Sequence, residues 1–152
     1  MNQNKTILIA ELGGTNARLA ITEDGKSLKN RYETKLEDSK SAEQLFRGYC
    51  SQIVGIPIRR AIIGVAAPML GEEVKLTNSN LEFNKKKLET LFSKQLLILN
   101  DLELQAHAIE ALEQKEIRRI GNVTESKKGS KILVSPGTGL GLAGIVEGVV
   151  IF

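Results

Sequence analysis

The N-terminal part of the chain alternates between apolar runs and short polar stretches, which is the pattern of strands joined by turns. Apolar residues at Ile7–Ala10 and Ala17–Thr22 predict two strands with a glycine-rich stretch between them. The segment Glu23–Lys26 is a strong hairpin turn signal, and Ser27–Lys35 predicts a third, more polar strand. The chain is therefore expected to open on a meander of antiparallel strands rather than on a strand, a loop and a helix.

A first helix is predicted after the meander. Ser41 and Gln44 have the spacing of a capping box at its start. The apolar positions that follow at helical spacing are Ala42, Leu45, Phe46, Tyr49, Cys50 and Ile53. Because Cys50 lies on this apolar stripe, a core thiol is favoured over a nucleophile.

Two continuous apolar runs, Ala61–Pro68 and Leu96–Leu99, predict strands that are buried on both faces. Between them, Asn84 is expected to cap a short helix that ends near Phe92. A third helix is predicted to begin at Asn100-Asp101, directly after the second run. Its expected inward positions are Leu102, Ala106, Ile109 and Leu112.

A polar, basic segment at 113–130 separates two parts of the chain. It is predicted to be a linker or hinge between an N-terminal domain at 1–112 and the first strands of a second domain at 131–152. Within the latter, Lys131–Val134 and Leu142–Val146 predict strands around a second glycine-rich loop.

Composition narrows the class of protein. Of 152 residues, 41% are hydrophobic and 26% are charged, as in an ordinary globular domain. The net charge of +3 is mild, and few aromatic residues lie among the lysine clusters, so solvated surface is favoured over a nucleic-acid interface. The single cysteine fits a reducing compartment, and no apolar run approaches the ~18 residues of a membrane span. We therefore expect a cytoplasmic protein without nucleic-acid or membrane partners.

The glycine-rich stretch between the first two strands, "ELGGTNARLA", is a candidate anion site. Paired glycines let backbone N–H groups approach an anion closely, and Thr15, Asn16 and, in the second loop, Thr138 add donors. A Walker-type loop is excluded, because neither a Gly-Lys-Ser/Thr sequence nor an immediate helix follows. Either loop alone is typical of a plain turn, but two of them on either side of a hinge favour a polyphosphate site.

Two carboxylates lie at predicted strand ends, where ligands of open sheets bind. Asp101 either caps the third helix together with Asn100, or accepts a proton from a substrate hydroxyl while Asn100 binds a neighbouring hydroxyl. Glu11, beside the first glycine loop, is a candidate Mg²⁺ ligand because magnesium prefers oxygen. His107 is the only histidine of the sequence, and solvation or packing is favoured for it over catalysis.

Five motifs resemble, in order, those of the bacterial glucokinase family: "ELGGTNARLA", "GVAAPM", "VKLTNSNLEF", "LLILNDLELQAHAI" and "GTGLGLA". The resemblance implies an actin-like (ribonuclease H-like) α/β fold, with a mixed sheet flanked by helices in the N-terminal domain. It further implies that two domains close on the sugar and ATP. The implied reaction is ATP-dependent phosphorylation of glucose at the 6-hydroxyl, with Mg²⁺, at the entry to glycolysis.

The resemblance also assigns site residues. Sugar binding falls on Asn100, Asp101 and Asn78, and Asp101 is the implied base for the 6-hydroxyl. The ATP phosphates fall on Ala10, Glu11, Leu12, Gly13, Gly14, Thr15, Asn16 and Arg18 in the first loop, and on Gly137, Thr138, Gly139 and Gly141 in the second. The family usually has aspartate at position 11, so the extra methylene of Glu11 displaces the carboxylate that would serve Mg²⁺.

Two alternatives stay open: a sugar-responsive regulator on the same fold, and a kinase that retains only binding. Regulators of this fold carry an N-terminal helix-turn-helix and often a cysteine-rich zinc site, which this sequence lacks, whereas Glu11 favours the binding-only kinase. The family's sequence continues well past the second glycine loop, so residues 1–152 alone are expected to be inactive. The apolar strands at 131–152 are expected to pair with another copy in a homodimer or larger species.

Overall fold

The computed structural model describes residues 6–77, 79–92, 95–109, 111–122, 129–136 and 140–151. The chain forms two compact units, of which the first ends at Asp101 and the second begins at Leu102. The predicted linker at 113–130, with domains at 1–112 and 131–152, stays a prediction. None of the described helices is long and apolar enough to cross a membrane.

The first unit is built on a mixed sheet. Its strands are β1 (Ile7–Leu12), β2 (Asn16–Thr22), β3 (Lys29–Lys35), β4 (Arg60–Val65), β5 (Glu73–Lys75), β6 (Glu82–Asn84) and β7 (Leu96–Asn100). Among the described residues, five strands form one sheet in the order β3-β2-β1-β4-β7, and β5 pairs with β6 in a separate hairpin. β1 is antiparallel to β2 and parallel to β4, and β4 is parallel to β7. The predicted meander is confirmed.

Side-chain caps fix where the helices of this unit begin. The helices are α1 (Ala42–Gln52) and α2 (Lys85–Leu91). The Ser41 hydroxyl accepts a hydrogen bond from the Gln44 N–H at 3.1 Å, as predicted. The amide oxygen of Gln44, however, accepts from the Lys40 N–H instead of closing the box on Ser41. The Asn84 side chain caps α2 as predicted, at 3.2 Å.

The core of the first unit lies between one face of the sheet and the two helices. Leu8 and Leu12 of β1 are buried on this face, because alternate residues of a strand point to the same side. The Phe46 ring of α1 is buried and meets Phe92 edge to face, with the ring centroids 5.5 Å apart. Cys50 packs against the same core, and burial raises the pKa of its thiol, as expected of a core cysteine.

β7 differs from its prediction. None of its residues is fully buried and Leu97 is 46% exposed, so the expectation of a strand buried on both faces is wrong for β7. β4, by contrast, has a strand on each side and buries Ala61, Ile63 and Val65. In the sheet that the structure describes, β7 has β4 as its one neighbour, which leaves its other flank open.

The second unit contains a helix and an antiparallel sheet. Its elements are α3 (Asp101–Ile109), which starts at the last residue of the first unit, and the strands β8 (Lys131–Pro136), β9 (Leu140–Val146) and β10 (Val149–Ile151). Ala106, Ala143 and Ile145 form its small core. Glu147 and Gly148 join β9 to β10 with φ values of 51° and 81°, as a tight hairpin turn requires.

Two residues of the predicted third helix face solvent. His107 is an exposed residue of α3, in line with the preference for solvation or packing over catalysis. Leu112 lies beyond the end of α3 and is exposed, so its predicted inward position is wrong. The apolar spacing of the sequence continues past Ile109, whereas the helix does not.

Candidate functional site

Three segments of the first unit converge at the carboxyl ends of the parallel strands. Ala66, just after β4, donates its N–H to the Leu12 carbonyl at 2.9 Å. The Ala66 carbonyl accepts from the Thr77 N–H at 3.5 Å and from the Thr77 hydroxyl at 3.3 Å. The Ala67 carbonyl accepts from Asn100 Nδ2 at 3.1 Å. Residues 66–67 therefore hold these three segments together at the edge where open α/β sheets bind ligands.

Asp101 follows the anchored Asn100 at the junction of β7 and α3. It is the first residue of α3 and is partly buried. Because the Asn100 amide is hydrogen-bonded to Ala67, the backbone that leads into Asp101 is held at the edge of the sheet. A carboxylate in this place is suited to accept a proton from a bound hydroxyl. The alternative, that Asn100 caps α3, stays a prediction.

The turn between β1 and β2 presents backbone donors. Gly13 donates its N–H to the Asn16 carbonyl at 3.0 Å, and the Thr15 carbonyl accepts from the Leu36 N–H at 2.8 Å. Within the part of the chain that the structure describes, the N–H groups of Gly14 and Thr15 have no hydrogen-bond partner, so they are available to an anion. Neither glycine has a left-handed backbone, and a Cβ on Gly13 would lie 3.3 Å from the Asn16 carbonyl oxygen. Gly13 thus fits this turn because it lacks a Cβ.

Glu11, Arg18 and Glu33 form a row of charges across three strands. The strand register pairs Glu11 with Arg18, and Arg18 with Glu33. The Arg18 guanidinium lies 3.1 Å from a carboxylate oxygen of each, and its hydrogen bonds to Glu33 and Glu11 raise the pKa of Arg18. All three side chains are at least half exposed, so these pairs contribute little to stability. No local sequence pattern indicates Glu33 as a member of this row, because only the register of β2 and β3 places it beside Arg18.

The other predicted site residues are either partly or fully buried, or lie outside the described part of the chain. The side chains of Ala10 and Leu12 are buried in the core, so only their backbone atoms could face a ligand. Asn16 is partly buried at the start of β2. Four predicted residues lie outside the described part of the chain: Asn78, Gly137, Thr138 and Gly139.

Glu11 is the one residue predicted to serve a metal. Among the described residues, no group of three or more His, Cys, Asp and Glu side chains could hold a metal ion. In phosphoryl-transfer sites Mg²⁺ usually takes only one or two carboxylates, because substrate phosphates and water fill its other positions. Glu11, near the end of β1 and beside the Gly14–Thr15 turn, fits this limited role, with one carboxylate oxygen already in contact with Arg18. The donor set thus suits a metal that arrives with a nucleotide.

Gly141 has a packing reason for its lack of a side chain. It lies on β9, and a Cβ at this position would come within 2.5 Å of Leu102 Cδ1 on α3. The helix therefore packs directly onto the strand at this glycine. The assignment of Gly141 to a phosphate loop stays a prediction, because packing alone already accounts for the glycine.

We expect Gly141→Ala to lower the free energy of unfolding by about 1–3 kcal/mol, because Leu102 must move to make room for the new methyl group. Gly144→Ala is the matched control on the same strand, since its Cβ would meet the nearest atoms at ordinary distances of 3.7 and 3.9 Å. Urea denaturation followed by circular dichroism measures both variants. Equal losses of stability would contradict the packing explanation.

A pocket of about 390 Å³ lies beside the β1–β2 turn. Its lining residues are Gly14, Thr15, Leu36, Glu37, Ser39, Lys40, Ser79, Asn80 and Leu81. Of these residues, only Gly14 and Thr15 belong to the sequence-predicted site. The remaining residues come from two polar segments far apart in the chain, and no local pattern indicates that they meet.

Similar proteins match nearly the whole chain. The family model described as Glucokinase matches residues 8–149 of the chain. A glucokinase of Chelativorans sp. (strain BNC1) is 34% identical over 143 residues, which cover 93% of this chain and 42% of that protein. Among solved structures, a glucokinase from an Antarctic psychrotroph has a TM-score of 0.83 and 28% identity, and the match covers 97% of this chain and 49% of the other.

A more distant structure shows the fold alone. It is a ROK family glucokinase from Streptomyces griseus, solved with glucose and AMPPNP, with a TM-score of 0.60 and 15% identity over 95% of this chain and 46% of the other. These neighbours confirm the predicted actin-like α/β fold. The chain spans about 42% of the length of the curated relatives it matches.

Proposed function

Because the chain belongs to the glucokinase family, we propose that the protein that carries it transfers a phosphoryl group from ATP to the 6-hydroxyl of glucose. The observation behind this proposal is the convergence of Leu12, Thr77 and Asn100 on residues 66–67. Through residues 66–67, the end of β1, which leads into the Gly14–Thr15 turn, is connected to Asn100, which precedes Asp101. The turn and Asp101 therefore lie at the same edge of the sheet. The Streptomyces griseus relative, solved with glucose and AMPPNP, supports a sugar and a nucleotide as the two substrates.

Asp101 is the proposed general base. Its carboxylate accepts the proton of the glucose 6-hydroxyl, the hydroxyl oxygen bonds to the γ-phosphorus of ATP, and the bond from that phosphorus to the bridging oxygen breaks to release ADP. Asn100, held by Ala67, binds an adjacent sugar hydroxyl and so orients the nucleophile. Asn78 is proposed as a further sugar contact.

The nucleotide phosphates are assigned to the two glycine loops. In the first, Gly14 and Thr15 offer backbone N–H groups, and Arg18 adds a positive charge on β2. In the second, the assignment covers Gly137, Thr138, Gly139 and Gly141. Mg²⁺, when bound, neutralises charge on the transferred phosphoryl group, and Glu11 is the residue of this chain that would hold it.

The release of ADP tests this proposal in a full-length version of the protein, one that carries the C-terminal half that its relatives have. We expect ADP release to require glucose, because the sugar hydroxyl is the nucleophile and must be in place before transfer. Release of ADP at the same rate without any sugar would contradict a sugar kinase. Residues 1–152 alone are proposed to give no measurable phosphorylation of glucose. We also propose a cytoplasmic location, which the single cysteine supports.

We also propose that residues 1–152 on their own self-associate through the sheet of the second unit. The strand register puts a set of exposed apolar side chains on one face of that sheet: Ile132, Val134, Leu140, Leu142, Val149 and Ile151. An apolar face of this kind favours association with a second copy. Sedimentation at micromolar concentration should show a dimer or a larger species, and a monomer would contradict the proposal.

A further inference from the structure

The pocket beside the Gly14–Thr15 turn is lined mostly by residues that have no role in the proposed reaction. Leu36 and Leu81 are buried apolar residues of its lining. Its polar lining comes from the segment that leads into α1, with Ser39 and Lys40, and from the segment before β6, with Ser79 and Asn80. An apolar surface with a few convergent polar groups, in a volume of about 390 Å³, is typical of a small-molecule site.

The charges of this lining favour an anion. Glu37 is its one carboxylate, and Glu37 Oε1 lies 3.3 Å from Lys35 Nζ, so its charge is balanced by a residue outside the pocket. Lys40 supplies the positive charge of the lining, and its backbone N–H donates to the Gln44 amide oxygen at 3.1 Å, which fixes the backbone of Lys40 just before α1. The backbone N–H groups of Gly14 and Thr15 have no partner among the described residues. Together with the Lys40 ammonium they give the pocket hydrogen-bond donors and a positive charge for an anion.

We propose that Lys40 is a further, cationic contact in this pocket for the terminal phosphoryl dianion that the Gly14–Thr15 turn is proposed to hold. The donors of the Gly14–Thr15 turn hold the phosphoryl oxygens on one side, and the Lys40 ammonium neutralises their charge on the other. The proposal rests on the proposed function for the identity of the turn as a phosphate site. Lys40 itself is not among the residues assigned through the family motifs. It contacts the phosphoryl group directly, and that group is either the terminal phosphoryl of the nucleotide or the phosphate of the sugar phosphate product.

Calorimetric titration of residues 1–152 with inorganic phosphate, glucose 6-phosphate, AMPPNP and glucose tests the proposal. Lys40→Met should weaken phosphate binding by about tenfold, because it removes the ammonium and keeps most of the apolar stem. Lys40→Arg should restore it. Lys87→Met is the matched control, since Lys87 is an exposed lysine of α2 that does not line the pocket. It should leave the affinity within about twofold, and glucose affinity should not change in any variant.

The ligands separate the two sources of the phosphoryl group. If Lys40→Met loses affinity for inorganic phosphate and glucose 6-phosphate, the sugar phosphate is the source of the bound phosphoryl group. If it loses affinity for AMPPNP, the nucleotide is the source. The proposal is overturned if the unmodified chain shows no saturable phosphate binding at millimolar concentration, if Lys40→Met binds every phosphate as well as before, or if Lys87→Met loses as much. Direct binding is independent of turnover, so an inactive full-length protein would overturn the proposed function and leave this measurement intact.

Discussion

Asp101→Asn, made in a full-length version of the protein, is expected to lower kcat by about 100- to 10,000-fold and to leave glucose affinity within about tenfold. Asparagine has nearly the same shape as aspartate and can still hydrogen-bond a sugar hydroxyl, but it cannot take up the proton of the attacking hydroxyl. The loss should therefore fall on the chemical step. Steady-state kinetics with glucose as the varied substrate measures both quantities.

Glu89→Gln is the control for Asp101→Asn. Glu89 is an exposed carboxylate of α2, and its replacement removes the same charge from the first unit without touching the edge where Asp101 lies. We expect its kcat to match that of the unmodified protein. An unchanged kcat in Asp101→Asn would remove Asp101 from the mechanism. A loss of the same size in both variants would instead indicate a general effect of charge.

Phe46→Ala is expected to lower the free energy of unfolding by about 3–5 kcal/mol. Phe46 is 0% exposed, and its ring meets Phe92 edge to face at an interplanar angle of 85°. Truncation removes that contact and leaves a cavity in the core of the first unit. Urea denaturation, fitted by linear extrapolation, gives the change in stability.

Val54→Ala is the control for Phe46→Ala. Val54 follows α1 in the chain and is 84% exposed, so its truncation should change stability by no more than about 0.5 kcal/mol. A loss below about 1 kcal/mol for Phe46→Ala would mean that the ring is not packed in the core as described.

Much of the first unit follows from local sequence. The caps at Ser41 and Asn84 were predictable because each depends on a side chain and an N–H three residues further on. The meander was predictable because a glycine-rich stretch separates the two apolar runs and the turn signal at Glu23–Lys26 separates the second run from the third, more polar strand. The second hydrogen bond of the capping box could not be predicted, because the Gln44 amide oxygen can accept from the Lys40 N–H as well as from the Ser41 N–H.

The geometry of the site depends on contacts between distant parts of the chain. The family motifs include Leu12, Ala66, Ala67, Thr77 and Asn100, but they do not show that the carbonyls of Ala66 and Ala67 accept hydrogen bonds from Thr77 and Asn100. The same holds for the pocket beside the turn, whose lining comes from three separate segments. The exposure of Leu97 could not be predicted either, because an apolar run does not reveal whether both faces of the strand will be covered.

The most direct test of the central claim is to identify the product. The full-length protein is incubated with ATP, Mg²⁺ and glucose, and the mixture is followed by ³¹P NMR with residues 1–152 alone as a parallel sample. We predict that the full-length protein forms glucose 6-phosphate and ADP in equal amounts and that the parallel sample forms neither. Formation of ADP with inorganic phosphate in place of a sugar phosphate, or phosphorylation at a hydroxyl other than the 6-hydroxyl, would contradict the proposed reaction.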